Sequence, residues 1–242
     1  MKKIFKRLGF TLAEILIVIG IIGGVAIMVL PTLKDAYEEH VFEARAKSTY
    51  NILKQAVALS KYSGDRYYGG DSEVFFNRYI KNSIQLSKIC GTSHAECTSD
   101  IYASNNSRET NIDDNAYLKA KYSFKLNNGA SVRISKIASG LAGFFGIEPL
   151  SEKQNDILLI TFDTNSETEP NILGLDVFVT YWNGRELLPL GNRASAKKVN
   201  ENCTTDKNTS CTANGYDCGT YCLQYMIDNG WKIKQELKDA FL

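Results

Sequence analysis

A chain of 242 residues, 44% hydrophobic and 23% charged, is ordinary globular material with room for one domain of respectable core. Its formal net charge is +1, and removing the four cations among the first seven residues takes the remainder to −3. That balance excludes a general electrostatic drive towards nucleic acid or acidic lipid.

The chain begins with Lys2, Lys3, Lys6 and Arg7 and no acidic residue, a bias that keeps such an end in the cytoplasm. Phe10 to Leu30 then forms an apolar run, long enough as a helix to cross the ~30 Å hydrocarbon layer of a membrane. Its one charge is Glu14. A carboxylate inside such a run costs roughly 2.5 to 3.5 kcal/mol, which makes Glu14 a functional candidate whose positive partner must be sought. An ordinary secretory signal fits poorly, because the small residue, Gly9, precedes the apolar run when it should follow it.

The string Lys6-Arg7-Leu8-Gly9 followed by Phe10-Thr11-Leu12-Ala13-Glu14 resembles the prepilin signature of type IV pilins and type II secretion pseudopilins. Pro31, the twenty-second residue counted from Phe10, matches a further position common among them. The resemblance covers residues 6 to 31. It implies that a prepilin peptidase cuts between Gly9 and Phe10 and N-methylates Phe10. It also implies that subunits, of one kind or several, stack their apolar helices into a filament with the help of inner-membrane assembly machinery. Glu14 of one subunit would then neutralise the Phe10 amine of its neighbour and set the register. The implied location is a single pass in the inner membrane with the N-terminus cytoplasmic, followed by a periplasmic or extracellular filament. Pilus and secretion or DNA-uptake pseudopilus are not separated by these residues, nor are major and minor subunits. The alternative from a different class is a monomeric extracellular binding domain on a signal anchor.

After Pro31 a helical period continues to residue 62. Leu33, Tyr37, Val41, Ala44, Ser48, Ile52, Ala56 and Leu59 recur at steps of three and four, predicting an amphipathic half of one long helix with a bend at Pro31. Gly20, Gly23 and Gly24 mark either close helix packing or a place where the helix loosens. Ser63-Gly64 ends the helix, and a short one capped by Asp71 or Ser72 carries Val74, Phe75, Tyr79 and Ile80. The period then changes to two. Tyr122, Phe124 and Leu126 lead through Asn127-Asn128-Gly129 to Val132 and Ile134, a hairpin. Ile157 to Phe162 and Leu175 to Trp182 predict two more strands, the second turning at Asn183-Gly184 and returning over Glu186 to Leu190. The expected fold is α+β, a long helix on an antiparallel sheet, which is also the pilin architecture the resemblance implies. The domains read as leader 1–9, filament-core span 10–30, amphipathic half 31–62 and exported α+β domain 63–242.

Six cysteines, Cys90, Cys97, Cys203, Cys211, Cys218 and Cys222, all lie beyond the span, where an oxidising compartment would join them. Cys90 and Cys97 pair across a short loop. Three pairings remain among the last four, with Cys218 and Cys222, one helical turn apart, each reaching back to Cys203 or Cys211. The rival is a zinc site, which the spacings and the two histidines, His40 and His94, serve badly. No motif requires a cofactor and no metal is assigned. Asp163-Thr164-Asn165-Ser166-Glu167, with Asp176 further on, places oxygen groups at alternating positions as calcium loops do, without the Gly and final Glu of an EF-hand. A polar turn bonding its own backbone is the other reading. Neither histidine stands beside a nucleophile in any motif, so the chain reads as a substrate of an enzyme and not as one.

Overall fold

The computed structural model describes residues 11–60, 69–93, 96–105, 118–147, 156–166, 168–206, 208–209, 211 and 218–241, without the side chains of 31–36, 60, 139, 141 and 144. Helix α1 (Leu12–Ser60) is assigned without interruption through Pro31. Gly9, Phe10 and the Tyr67-Tyr68 loop lie outside the described residues, as do His94 and Glu167. The chain divides into two units, Met1–His40 and Val41–Leu242.

The second unit holds the core, and α1 enters it on a face other than the expected one. Phe42, Ala46, Tyr50, Leu53, Ala56 and Val57 are buried, whereas Tyr37, Ala44, Ser48 and Leu59 are exposed. Among the described side chains of the stripe read from spacing, only Ala56 is fully inside. Both stripes obey the steps of three and four and differ by about one residue, roughly 100° of helix. Bulk decides between them. Turning the helix that far buries a phenylalanine, a tyrosine, a leucine and a valine where the other face would have buried Ala44 and Ser48, and apolar area removed from water is what stabilises the contact.

Six strands form one antiparallel sheet in sequence order: β1 (Leu86–Gly91), β2 (Tyr122–Leu126), β3 (Ser131–Ala138), β4 (Asp156–Asp163), β5 (Val177–Trp182) and β6 (Leu187–Pro189). The central strands are covered on both sides. Leu158, Ile160, Phe162, Phe178 and Trp182 point to the face that also holds the buried residues of α1. Ile157, Leu159, Val177, Val179 and Tyr181 point to the other, packed with Ile101, Phe145, Leu190 and Tyr221. Double burial explains why β4 and β5 are continuous apolar runs and do not alternate.

The two hairpin turns leave five and four residues, respectively, between the last strand pairs. Lys125 pairs with Ser131 and Trp182 with Leu187. In the second turn the Asn183 side chain accepts from the amides of Arg185 and Glu186 at 2.9 and 2.8 Å, so the asparagine closes an Asx-type turn and not the two-residue turn expected of Asn-Gly. Ahead of the sheet, Asp71 caps helix α2 (Ser72–Phe75) through the Val74 amide at 2.9 Å, and a π-helical turn (Phe76–Ile80) continues it. Phe75, Tyr79 and Trp182 meet there, with ring centres of Phe75 and Tyr79 5.5 and 4.9 Å from Trp182, while Phe76 packs on Tyr122 and Phe124. The aromatics are core.

Sequence reading missed several pieces. Strand β1 is an edge strand, largely solvent-facing, interrupted by register shifts, and so has no alternation to read. A 3-10 turn (Ser139–Phe145) follows β3. Two seven-residue helices were likewise not read, α3 (Ala196–Asn202) and the last, α5 (Gln235–Phe241), whereas α4 (Cys222–Asp228) lies where the cysteine argument placed a helical turn.

Candidate functional site

The apolar part of α1 differs from every other element. Over Leu12–Leu30 the mean hydropathy is 2.7, and none of this stretch is buried. Leu12, Ile17, Ile21, Ile27 and Met28 expose between 63% and 80% of their surface, on all sides of the helix. A surface of this kind demands a covering, either lipid or other helices. A Cβ placed at Gly20, Gly23 or Gly24 would meet nothing within 4 Å, so no contact within the described chain accounts for these glycines.

At the start of this helix the structure finds a partner for Glu14 within its own first turn. The Thr11 amide and the Thr11 hydroxyl both donate to Glu14 Oε2, each at 2.8 Å, and the Glu14 amide donates back to Thr11 Oγ1 at 3.3 Å. This is a reciprocal capping box, with Thr11 at the cap and Glu14 three residues on, beside the positive end of the helix dipole. Thr11 was legible in the sequence as the first member of a Thr-x-x-Glu quartet before an apolar run, and reading Glu14 only as a charge in search of a cation passed over it. Both donors use Oε2. Among the described residues nothing engages Oε1.

All six cysteines are oxidised, as Cys90–Cys97, Cys203–Cys222 and Cys211–Cys218, which removes the zinc alternative. Cys203 and Cys222 sit in the core beside Leu223, Met226, Ile233 and Leu237. Around them polar groups hold the tail. Glu236 Oε1 accepts from the Thr204 hydroxyl, the Thr205 amide and the Thr205 hydroxyl at 2.7 to 2.8 Å, and Lys234 lies 3.0 Å from Oε2. Burial opposes this charge, but the donated bonds outweigh it and hold the Glu236 carboxyl down at about 2.

The acidic loop folds onto the segment after the first disulfide. Asp163 Oδ1 accepts from the amides of Asn165 and Ser166 at 3.0 and 2.9 Å. The Asp176 carboxylate spans the amides of Asn171 and Ile172 at 2.9 and 2.7 Å. Both aspartates are buried, and burial is the main force lifting each carboxyl above its ordinary range, with repulsion from Asp176 adding to it at Asp163. Arg133, buried nearby, donates through Nη2 to the Ser99 carbonyl at 2.7 Å. Among the described residues no three His, Cys, Asp or Glu side chains come together.

No protein-family model, no curated protein and no solved structure matches this chain.

Proposed function

We propose that this chain is a prepilin-processed filament subunit, a pilin or pseudopilin, whose work is assembly and not turnover. The observation that carries the reading is a junction: a basic leader ending at Gly9, then Phe10 and Glu14, opening directly into an apolar helix that the rest of the described chain leaves bare on every side. An antiparallel sheet backed by the second half of the same helix and a disulfide-bonded tail are consistent with an exported subunit of that kind. On this reading the prepilin peptidase removes residues 1–9 and methylates Phe10. The bare helix resides first in the inner membrane and then among the helices of neighbouring subunits, recruited there by the assembly machinery.

The capping box gives Glu14 a part in both settings. In lipid, Thr11 and the helix start satisfy Oε2 and lower the cost of the carboxylate. In the filament, Oε1 is the oxygen that a neighbour's Phe10 amine would approach. A mass measurement of the N-terminus, on protein from the native host, tests the proposal. Loss of residues 1–9 with one methyl on Phe10 is the expected result. An intact leader would refute it and favour a monomeric, signal-anchored binding domain.

A further inference from the structure

We propose that the exposed face of α1 over residues 44–58 is a docking surface for an acidic helix of a different protein chain, and that it turns away a second copy of this one. Ala44, Lys47, Asn51, Lys54 and Ala58 recur at steps of three and four, the spacing of a seam along which two helices meet, and all five are exposed. Residues 44–59 hold three cations, Arg45, Lys47 and Lys54, and no acid. Among the described residues Lys47 and Lys54 make no ion pair, whereas Lys88, Lys136, Lys197, Lys232 and Lys234 each reach a carboxylate. The nearest acid on the helix, Glu43, is buried and already engaged by Lys232 and Lys238.

Aromatic rings hold the two ammonium groups in place without cancelling their charge. Lys47 Nζ lies 5.7 Å from the ring centre of Trp231 and Lys54 Nζ 5.6 Å from that of Tyr50, and the two ring centres are 5.9 Å apart. Trp231 is set there by a left-handed backbone, φ +68°, which a bulky residue seldom adopts. Seven residues, or ~10.5 Å of helix, separate the two lysines. Two carboxylates seven residues apart on a second helix would stand opposite both, and Ala44, Asn51 and Ala58 leave room for that helix to come close. Other occupants fit less well. Nucleic acid would also bring negative charge, but the chain without the four cations of its first seven residues carries −3 and repels a long polyanion. A second copy meeting along the same seam would set lysine against lysine, and the acids of α1, Glu14, Asp35, Glu38, Glu39 and Glu43, include no two at a spacing of seven.

The proposal deepens the reading of this chain as a filament subunit and takes its setting from it: the acidic helix belongs to an unlike subunit, and the filament is a mixed one. A photoreactive residue, p-benzoylphenylalanine, in place of Asn51 of the full-length chain tests this in the native host, with the adduct sequenced by mass spectrometry. The expected result is an adduct with one different chain, on a helix carrying two Asp or Glu seven residues apart. Lys47→Glu with Lys54→Glu should cut the adduct at least tenfold while the melting temperature stays within a few degrees, since both side chains are exposed. Changing the partner's two acids to lysine should then restore it. An adduct between two copies of this chain, an adduct with nucleic acid, no adduct at all, or an adduct that the double reversal leaves undiminished would each overturn the proposal. The N-terminal mass of the same sample keeps the two readings apart. An intact leader beside a charge-dependent adduct refutes the filament reading alone, and a cleaved leader without an adduct refutes the docking surface alone.

Discussion

Glu43→Ala tests what fastens the second half of α1 to the end of the chain. Glu43 is 6% exposed. Its carboxylate accepts from Lys232 Nζ at 2.7 Å and from the Ile233 amide at 3.1 Å, and it faces Lys238 Nζ at 3.5 Å. The contributions are unequal. Lys232 keeps 53% of its side chain in water and can be resolvated, so its share is below about 1 kcal/mol. Lys238, with 10% of its side chain exposed, would lose this counter-charge in a confined place, and the Ile233 amide would lose its acceptor, at about 1 to 3 kcal/mol each. Glu43→Ala should therefore cost about 3 kcal/mol, and Glu43→Gln, which still accepts from Ile233, about half of that. Urea unfolding of residues 41–242, which contain the entire core, can be followed through Trp182 and Trp231. For a slope near 2 kcal/mol per molar, the Ala midpoint should fall by roughly 1.5 M. Acidity provides a second check. Burial raises the Glu43 carboxyl, but the Lys232 and Ile233 bonds and the two lysine charges outweigh it and leave the group below its ordinary value of 4.5. A depressed carboxyl stabilises the fold above the unfolded value and loses that contribution as pH falls through the folded one. The gap between wild type and Glu43→Ala should accordingly be full at pH 7 and shrink below 4.5. A cost under about 0.5 kcal/mol, or a gap as wide at pH 3 as at pH 7, would refute the assignment.

Removing the core disulfide with Cys203→Ala and Cys222→Ala releases a loop of sequence separation 19, which corresponds to about 3 kcal/mol of loop-closure entropy, against about 2.5 for the Cys211 and Cys218 pair of separation 7. Denaturant midpoints matching the wild type would show that these bridges stabilise nothing. Gly174→Ala should cost about 2 to 5 kcal/mol, because Gly174 has a φ of +89° and an added Cβ would overlap Cys222 Sγ and lie 3.1 Å from Leu237 Cδ2; an unchanged melting temperature would contradict it. Glu14→Gln keeps an oxygen for the Thr11 amide but drops the charge, so the precursor should be cut normally while shear-recovered filaments fall sharply. A normal filament yield with this variant as the only copy would remove the ionic registration argument.

The parts of the fold that could be read in the chain were those whose local chemistry has one solution. The Asn127-Asn128-Gly129 turn between alternating runs could be little but a hairpin, and the apolar runs of β4 and β5 could only be interior. Where two solutions satisfy the same periodicity, tertiary packing chose, as in the face of α1 that carries Phe42 and Tyr50. Strand β1 owes its conformation to Leu126 and Phe124 across from it and not to its own residues, so nothing in Leu86–Gly91 announces it. The candidate site at the N-terminus is the reverse case. Its residues are contiguous, and even the missed Thr11 contact lies three positions from Glu14. The acidic loop at Asp163 was half visible, because its own members are sequential, while Ser99, whose hydroxyl donates to Asp163 Oδ2 at 3.3 Å, comes from 64 residues earlier and only folding brings it in.

The sequence order of the strands bears on how the chain can fold as it is made. Each strand of the sheet pairs with the one made just before it, so a chain emerging from its N-terminal end can extend the sheet one strand at a time, with tight closures at the β2–β3 and β5–β6 turns and longer ones between β1 and β2 and between β3 and β4. The tie from Glu43 to Ile233 breaks that pattern, since its two ends are 190 residues apart. It cannot form until the C-terminal segment is present. The tail from Lys232 to Lys238 thus acts as a latch that shuts only on a complete chain. A chain arrested part-way would carry a nearly finished sheet with the buried face of α1 incompletely covered, a state that proteases can distinguish from the finished molecule.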